Sequence, residues 1–173
     1  MIQIYTGDGK GKTTAAFGLA MRACGHGLKV MVLQFLKGAV LSGELAAAAR
    51  LGIEVHQFGR RCAGLDTPNL ALTACTECGQ CWIKADNITE QDRQRTLMGW
   101  QLACAAVEHG RHDLIILDEV IGAINLDLLP LNDMQSLMLR MPPSRELVLT
   151  GRNAPPQLIA LADLVSEIKK VKH

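Results

Sequence analysis

Short runs of consecutive apolar residues alternate along the chain with longer stretches in which apolar and polar positions mix at helical spacing. Residues 2–6 (IQIYT), 29–36 (KVMVLQFL), 53–58 (IEVHQF), 113–119 (DLIILDE) and 146–151 (ELVLTG) have the length and branched content of buried strands. Residues 12–27 predict a helix closed by Gly25 and Gly27, and 42–52 a short helix opened by Ser42 and stopped by Gly52. Residues 89–110 predict a long helix, with Thr89 as N-cap, acids in the first turn and Gly110 as the stop. A short helix over 155–162 and an edge strand over 164–171 complete the pattern, and 120–145 receive no assignment. Strands and helices in alternation predict an α/β fold of three layers, a mostly parallel sheet flanked by helices, as a single domain spanning 1–173.

One segment breaks the rhythm. Residues 59–88 (GRRCAGLDTPNLALTACTECGQCWIKADNI) show no period and hold four of the six cysteines, so they read as an insertion into the domain. Cys75, Cys78 and Cys81 are spaced C-x2-C-x2-C, with Cys62 thirteen residues before Cys75. That arrangement resembles an iron–sulfur ligand set more than a zinc ribbon, although a four-cysteine zinc site and plain reduced thiols both remain open. Cys24 and Cys104 fall on apolar helix faces and read as packing residues.

Composition narrows the function. Apolar residues make up 49% of the chain and charged residues 20%, which is globular. A net charge of +1 and only 3% aromatics argue against a nucleic-acid surface. The longest apolar runs, such as VMVLQFL, are too short to cross a bilayer. The first residues, MIQIYTGDG, carry no basic leader, so a cytoplasmic protein with reduced thiols is expected.

The chemistry gathers after the first strand, where residues 6–14 read TGDGKGKTT. The usual phosphate loop is G-x-x-x-x-G-K-[ST], and this one is a residue short, with Thr6 where the first glycine belongs. Its context is nonetheless right: strand, glycine turn, Lys-Thr, helix. Gly7, Gly9 and Gly11 let the backbone bring N–H groups close to an anion, and the helix aims its positive end at the same place. Lys12 supplies a full charge to phosphates, Thr13 offers a hydroxyl to Mg²⁺, and Lys10 adds a second cation. An acid at a strand end should complete a nucleotide site. Asp118 and Glu119 supply it: one carboxylate to hold Mg²⁺ directly or through water, the other to meet the nucleotide or a second substrate. Arg152, just after the last central strand, is a further candidate for the phosphates, as is Arg22 on the first helix.

With these motifs in place the chain resembles the ATP:corrinoid adenosyltransferases of the CobA/CobO/BtuR type, over most of its length. The family loop reads G-N-G-K-G-K-T-T, also one residue short, and here it is Gly7-Asp8-Gly9-Lys10-Gly11-Lys12-Thr13-Thr14. The likeness continues through AAFGLAMRACGHGLKVMVLQFLKG, DLIILDE and LVLTGRNAPPQLIALADLVSEIKKVKH. It implies a phosphate-loop NTPase-like fold and a substrate-level reaction at carbon. Cobalt(I) of a reduced corrinoid attacks the ribose 5′-carbon of ATP and the whole triphosphate leaves, in adenosylcobalamin biosynthesis or salvage. The nucleophile is then the corrinoid metal, so the protein's tasks are positioning and charge neutralisation. In that scheme Lys10, Lys12 and Glu119 are the catalytic candidates, Gly7 to Thr14 with Arg152 bind ATP, and Thr13 with Asp118 take the Mg²⁺. A homodimer, a reduced flavoprotein donor and apolar residues crowding one face of cobalt are also implied.

The chain departs from the family in places. The aromatic-Thr-rich TWET-like stretch of many relatives is replaced by the cysteine segment, with only Thr89-Glu90 resembling it. The sequence opens at the first strand, without the N-terminal arm of some relatives, which implies a more open corrinoid site or a lid lent by a partner. A cluster held by Cys62, Cys75, Cys78 and Cys81 would relay an electron to cobalt(II). Two other functions fit the motifs: a kinase or ATPase using Glu119 as base, and a non-catalytic ATP-gated corrinoid or cluster carrier.

Overall fold

The computed structural model describes residues 1–38, 42–60 and 81–172. Strands β1 (Ile2–Thr6), β2 (Val30–Phe35), β3 (Glu54–Phe58), β4 (Leu114–Asp118), β5 (Glu146–Thr150) and β6 (Leu164–Glu167) form one sheet in the order β3-β2-β4-β5-β1-β6. Every neighbouring pair is parallel, as the alternating pattern predicts. Parallel pairing needs crossovers, and helices supply them on both faces. Val30, Val32, Leu114, Ile116 and Val148 face α1 (Lys12–Gly25) and α2 (Gly43–Arg50). Met31, Leu33, Phe35, Ile115, Leu117 and Leu149 face the opposite core, which takes in α3 (Glu90–His109), α4 (Val120–Asn125) and α5 (Leu131–Leu139). Ala16, Ala20 and Ala23 of α1 are buried, and their small side chains let that helix lie close on the sheet.

Two elements escape the sequence pattern. Helix α4 follows β4 with no glycine or proline between them, so the apolar run LIIL-DE-VIGAI shows no break. The turn is made instead by Glu119 in a left-handed conformation, φ 58°. Helix α5 buries Met134, Leu137 and Met138, a helical spacing entered from Pro130. The short α6 (Pro156–Ile159) and the edge strand β6 both come out shorter than predicted. Among the described residues no helix is long and apolar enough to cross a membrane.

Both ends of the cysteine segment are anchored although residues 61–80 are outside the described residues. Thr89 caps α3 in a capping box with Asp92, whose carboxylate also accepts the Thr89 N–H at 2.9 Å. Arg60, just beyond β3, donates from Nε to Asp92 Oδ1 at 2.9 Å and from Nη2 to the Asn87 carbonyl. One buried carboxylate therefore ties the exit of β3 to the start of α3. Burial alone would raise the Asp92 carboxyl, but Arg60 and Thr89 outweigh it and hold it at about 2.

A carboxyl lowered in the fold stabilises above its unfolded pKa and stops doing so as pH falls through its folded value. Asp92→Asn is therefore expected to cost about 2 kcal/mol at pH 7, read by urea unfolding. The difference from wild type should shrink as pH is lowered from about 4 toward 2. An equal loss at every pH would assign the effect to packing.

Candidate active site

The carboxyl ends of β1, β2, β4 and β5 open onto one edge of the sheet, where ligands bind in open α/β folds. Register decides what they present. Gln34 of β2 lies beside Asp118 of β4, and Leu117 beside Leu149, so Gln34, Asp118 and Thr150 stand side by side on the α1 face. Asp118 is fully buried. It accepts hydrogen bonds from Thr150 Oγ1 (2.7 Å), Gln34 Nε2 (3.0 Å), Thr13 Oγ1 (3.0 Å) and Lys37 Nζ (2.7 Å). The Lys37 ammonium balances the charge and also donates to Thr13 Oγ1 at 2.7 Å. Gln57 Nε2 donates to Gln34 Oε1 at 2.9 Å and carries the network to β3.

The glycine turn runs from Gly7 to Gly11, because Thr6 is the last residue of β1. Its hydroxyl accepts the Ala154 N–H at 3.1 Å and its carbonyl the Ile168 N–H at 2.8 Å. Gly7 and Gly11 have φ of 100° and 113°, which favours glycine at both. The chain leaving β6 adds a second reason. A Cβ at Gly7 would fall 2.3 Å from the Ile168 carbonyl oxygen, and one at Gly9 2.7 Å from it. The Gly9 N–H donates to that oxygen at 2.8 Å, so this loop amide is used inside the protein and not offered to an anion. The first turn of α1 starts from N-cap Gly11, which provides no capping side chain for its N–H groups.

Lys12 is buried, and its ammonium donates to the carbonyls of Gly7 (2.7 Å) and Gly9 (2.8 Å). Burial lowers its pKa, while Glu119 pulls the other way. Asp8, Lys10 and Thr14 of the same loop are exposed. Glu119 donates its N–H to Thr150 Oγ1 at 2.9 Å, which secures the turn into α4. Its carboxyl is pushed up by burial and by Asp118, and drawn back by Lys37, Lys12 and Arg152. Arg152 is placed by two contacts. Gly151, at φ 146°, passes so close to α4 that a Cβ would meet Ile121 at 2.7 Å, and Asn125 Nδ2 donates to the Arg152 carbonyl at 2.8 Å.

Glu119 and Arg152 line a cavity of about 610 Å³ with Leu36, Lys37, Gln57, Cys81, Trp82 and Ile83. Trp82 is 70% exposed there. A second cavity of about 440 Å³ lies between α1 and α2, bounded by Thr13, Thr14, Phe17, Met21, Lys37 and Leu51.

The structure thus brings Lys12, Thr13, Asp118, Glu119 and Arg152 together. It separates Arg22, which is exposed in the last turn of α1, about 15 Å along the axis from Lys12. On β3, His56 Nε2 bonds Glu54 Oε1 at 2.7 Å, and Glu54 also meets His112. Cys24 and Cys104 pack against the two cores, and burial raises both thiols. Cys62, Cys75 and Cys78 lie outside the described residues, so the metal reading of that segment has only Cys81 at the cavity wall. Among the described residues no group of three His, Cys, Asp or Glu could hold a metal ion. Lys37, Gln34 and Trp82 are not singled out by the sequence. For Lys37 the signal is present, because it is the first charged residue past the carboxyl end of a central strand.

Comparison with known proteins agrees with this geometry. The family model for ATP:corrinoid adenosyltransferase BtuR/CobO/CobP matches residues 1–173. The corrinoid adenosyltransferase of Escherichia coli K12 is 35% identical over all of this chain and 78% of its own length. Corrinoid adenosyltransferase CobA of Salmonella typhimurium is 33% identical over the same shares, and the Pseudomonas aeruginosa enzyme is 34% identical over all of this chain and 76% of its own. With the whole chain matched and the shortened glycine loop seated against a buried strand-end aspartate, this protein belongs to the ATP:corrinoid adenosyltransferase family.

Proposed function

We propose that the protein transfers the 5′-deoxyadenosyl group of ATP to cobalt(I) of a reduced corrinoid and releases triphosphate. The observation that carries this is the convergence of Lys12, Arg152, Asp118 and the uncapped first turn of α1 at the strand ends, next to a cavity that Lys37, Glu119 and Arg152 line. That arrangement suits a polyanion that departs intact. The cavity gives a bulky second substrate access to the nucleotide's other end.

The corrinoid's cobalt(I) supplies the electron pair that forms the cobalt–carbon bond. The C5′–O bond breaks and its electrons pass to the triphosphate. Negative charge then grows on the leaving oxygen. Lys12 leaves the carbonyls of Gly7 and Gly9 for phosphate oxygens, and Lys10 and Arg152 add further positive charge. These groups act where charge develops, which is where stabilisation accelerates a reaction. The Thr13 hydroxyl and the Asp118 carboxylate, hard oxygen donors 3.0 Å apart, fit a magnesium ion and would hold it. Bound there, the metal would neutralise further phosphate charge. Glu119, on the cavity wall and near both Lys12 and Arg152, orients the reactants by accepting from a ribose hydroxyl or a corrinoid amide. Leu36, Trp82 and Ile83 offer the apolar surface for the corrin ring. Cobalt(I) forms when cobalt(II) of the corrinoid takes one electron from a separate donor such as a reduced flavoprotein, and the enzyme works as a cytoplasmic homodimer. The preferred corrinoid is cobyrinic acid a,c-diamide, cobinamide or cobalamin.

Incubation with ATP, Mg²⁺ and chemically reduced cobalamin is expected to give the light-sensitive absorbance of an adenosylated corrinoid, with one triphosphate per product. ADP and phosphate without a cobalt–carbon bond would make the protein a kinase or ATPase. Binding of both substrates without turnover would make it a carrier.

Lys12→Met should lower kcat by about a hundredfold or more, because it removes a charge needed chiefly as the triphosphate departs. Unchanged kcat with raised KM would reduce Lys12 to a binding residue.

The raised Glu119 carboxyl predicts a pH dependence. The ionised form is the acceptor, so the rate should fall as pH drops through a pKa above the ordinary carboxylate range. Glu119→Gln should be slower at neutral pH and should lack that acid limb. An identical acid limb in the variant would assign the titration elsewhere.

A further inference from the structure

Lys37 holds a position that adenosyl transfer alone does not explain. Its ammonium lies 2.7 Å from Thr13 Oγ1 and 2.7 Å from Asp118 Oδ2. Those are the two groups proposed to hold magnesium, and the role inferred for Lys37 rests on that proposal. The lysine is not a stray surface charge. Leu36 before it is held at φ 60°, a conformation unfavourable for a branched side chain. A Cβ on Gly59, at the exit of β3, would fall 2.2 Å from the Lys37 carbonyl carbon, so that glycine locks the Lys37 backbone from the other side. Only a third of the side chain is exposed, and Lys37 borders both cavities.

An ammonium and a divalent ion cannot share these oxygens. Magnesium binds oxygen at about 2.1 Å, and a second cation hydrogen-bonded to the same atoms would be repelled strongly even in a well-screened site. We propose that Lys37 is a tethered cation that competes with magnesium for Thr13 and Asp118, and that magnesium–nucleotide binding transfers its ammonium to the polyphosphate. Magnesium alone must evict Lys37 from a buried carboxylate and leaves that ammonium only the neighbouring Glu119 carboxyl, which burial pushes toward its neutral form. Magnesium arriving with ATP gives it phosphate oxygens instead. Metal and nucleotide binding are thereby coupled, and by linkage the coupling is reciprocal. Asp118 keeps a counter-charge in both states, and a metal without nucleotide is discouraged.

Mn²⁺ as a paramagnetic probe tests this on the whole protein, without corrinoid and hence without turnover. Free Mn²⁺ is titrated by EPR against nucleotide-free wild type, Lys37→Met and Lys37→Arg, and ATP affinity is measured by calorimetry with and without Mn²⁺. Lys37→Met is expected to bind Mn²⁺ alone about tenfold tighter or more than wild type, and to show a smaller gain in ATP affinity on adding metal. Lys37→Arg keeps the charge and should remain a weak Mn²⁺ binder. A damaged fold would lower metal affinity, so the sign of the change separates this role from a structural one. Equal Mn²⁺ affinity in wild type and Lys37→Met, or no measurable binding in either, overturns the proposal. The metal assignment is checked separately in Lys37→Met/Asp118→Asn. If Mn²⁺ binding survives there undiminished, the metal does not use Asp118 and the assignment itself fails.

Discussion

A single buried carboxylate organises this protein. Asp118 sits at the end of the central strand β4 with no solvent exposure, where an uncompensated charge would be strongly destabilising. Its compensation comes from α1, from β2, from the residue two past β2, and from β5. Satisfying the charge therefore requires that the glycine turn, three strand ends and Lys37 all be in place. The same contacts that make the buried carboxylate tolerable fix the geometry of the site, so stability and function rest here on one set of hydrogen bonds.

The shortened loop has a physical reason of a different kind. A phosphate loop usually offers its backbone amides to the anion, yet here the Gly9 N–H is turned to the carbonyl of Ile168. The chain leaving the edge strand crosses directly over Gly7 and Gly9, with no room for a side chain at either. On the proposed function, a compact turn clamped from above leaves the phosphate-binding work to the first turn of α1 and to lysine side chains. Backbone strain collects on the same edge of the sheet: Leu36, Glu119 and Asn153 all have φ between 53° and 60°. Each lies just past a strand end, where the chain turns sharply at the carboxyl edge of the sheet.

Local pattern made the architecture readable. Alternating buried strands and amphipathic helices, capped by Thr89 and stopped by Gly110, foretell the parallel sheet and the long helix α3. The turn at Gly7 to Thr14 and the acids after LIIL mark the site because each motif is contiguous. What stayed hidden depends on residues far apart in the chain. The Ile168 clamp joins positions about 160 residues apart, and the Arg60–Asp92 pair spans the cysteine segment. Helix α4 is masked because Glu119, and not a glycine, makes its left-handed turn. Lys37 looks like an ordinary loop lysine until the register of β2 and β4 places it over Asp118.

On the proposed function, the protein grips ATP by its polyphosphate so that carbon, and not phosphorus, is the reacting centre. The most direct measurement uses ATP carrying oxygen-18 in the bridge between C5′ and the α-phosphorus, with reduced corrinoid as acceptor. Phosphorus NMR and mass spectrometry of the products should find all of the label in the released triphosphate and none on the adenosyl group. Label retained on the nucleoside would mean that a phosphorus–oxygen bond was cleaved, and would contradict the account.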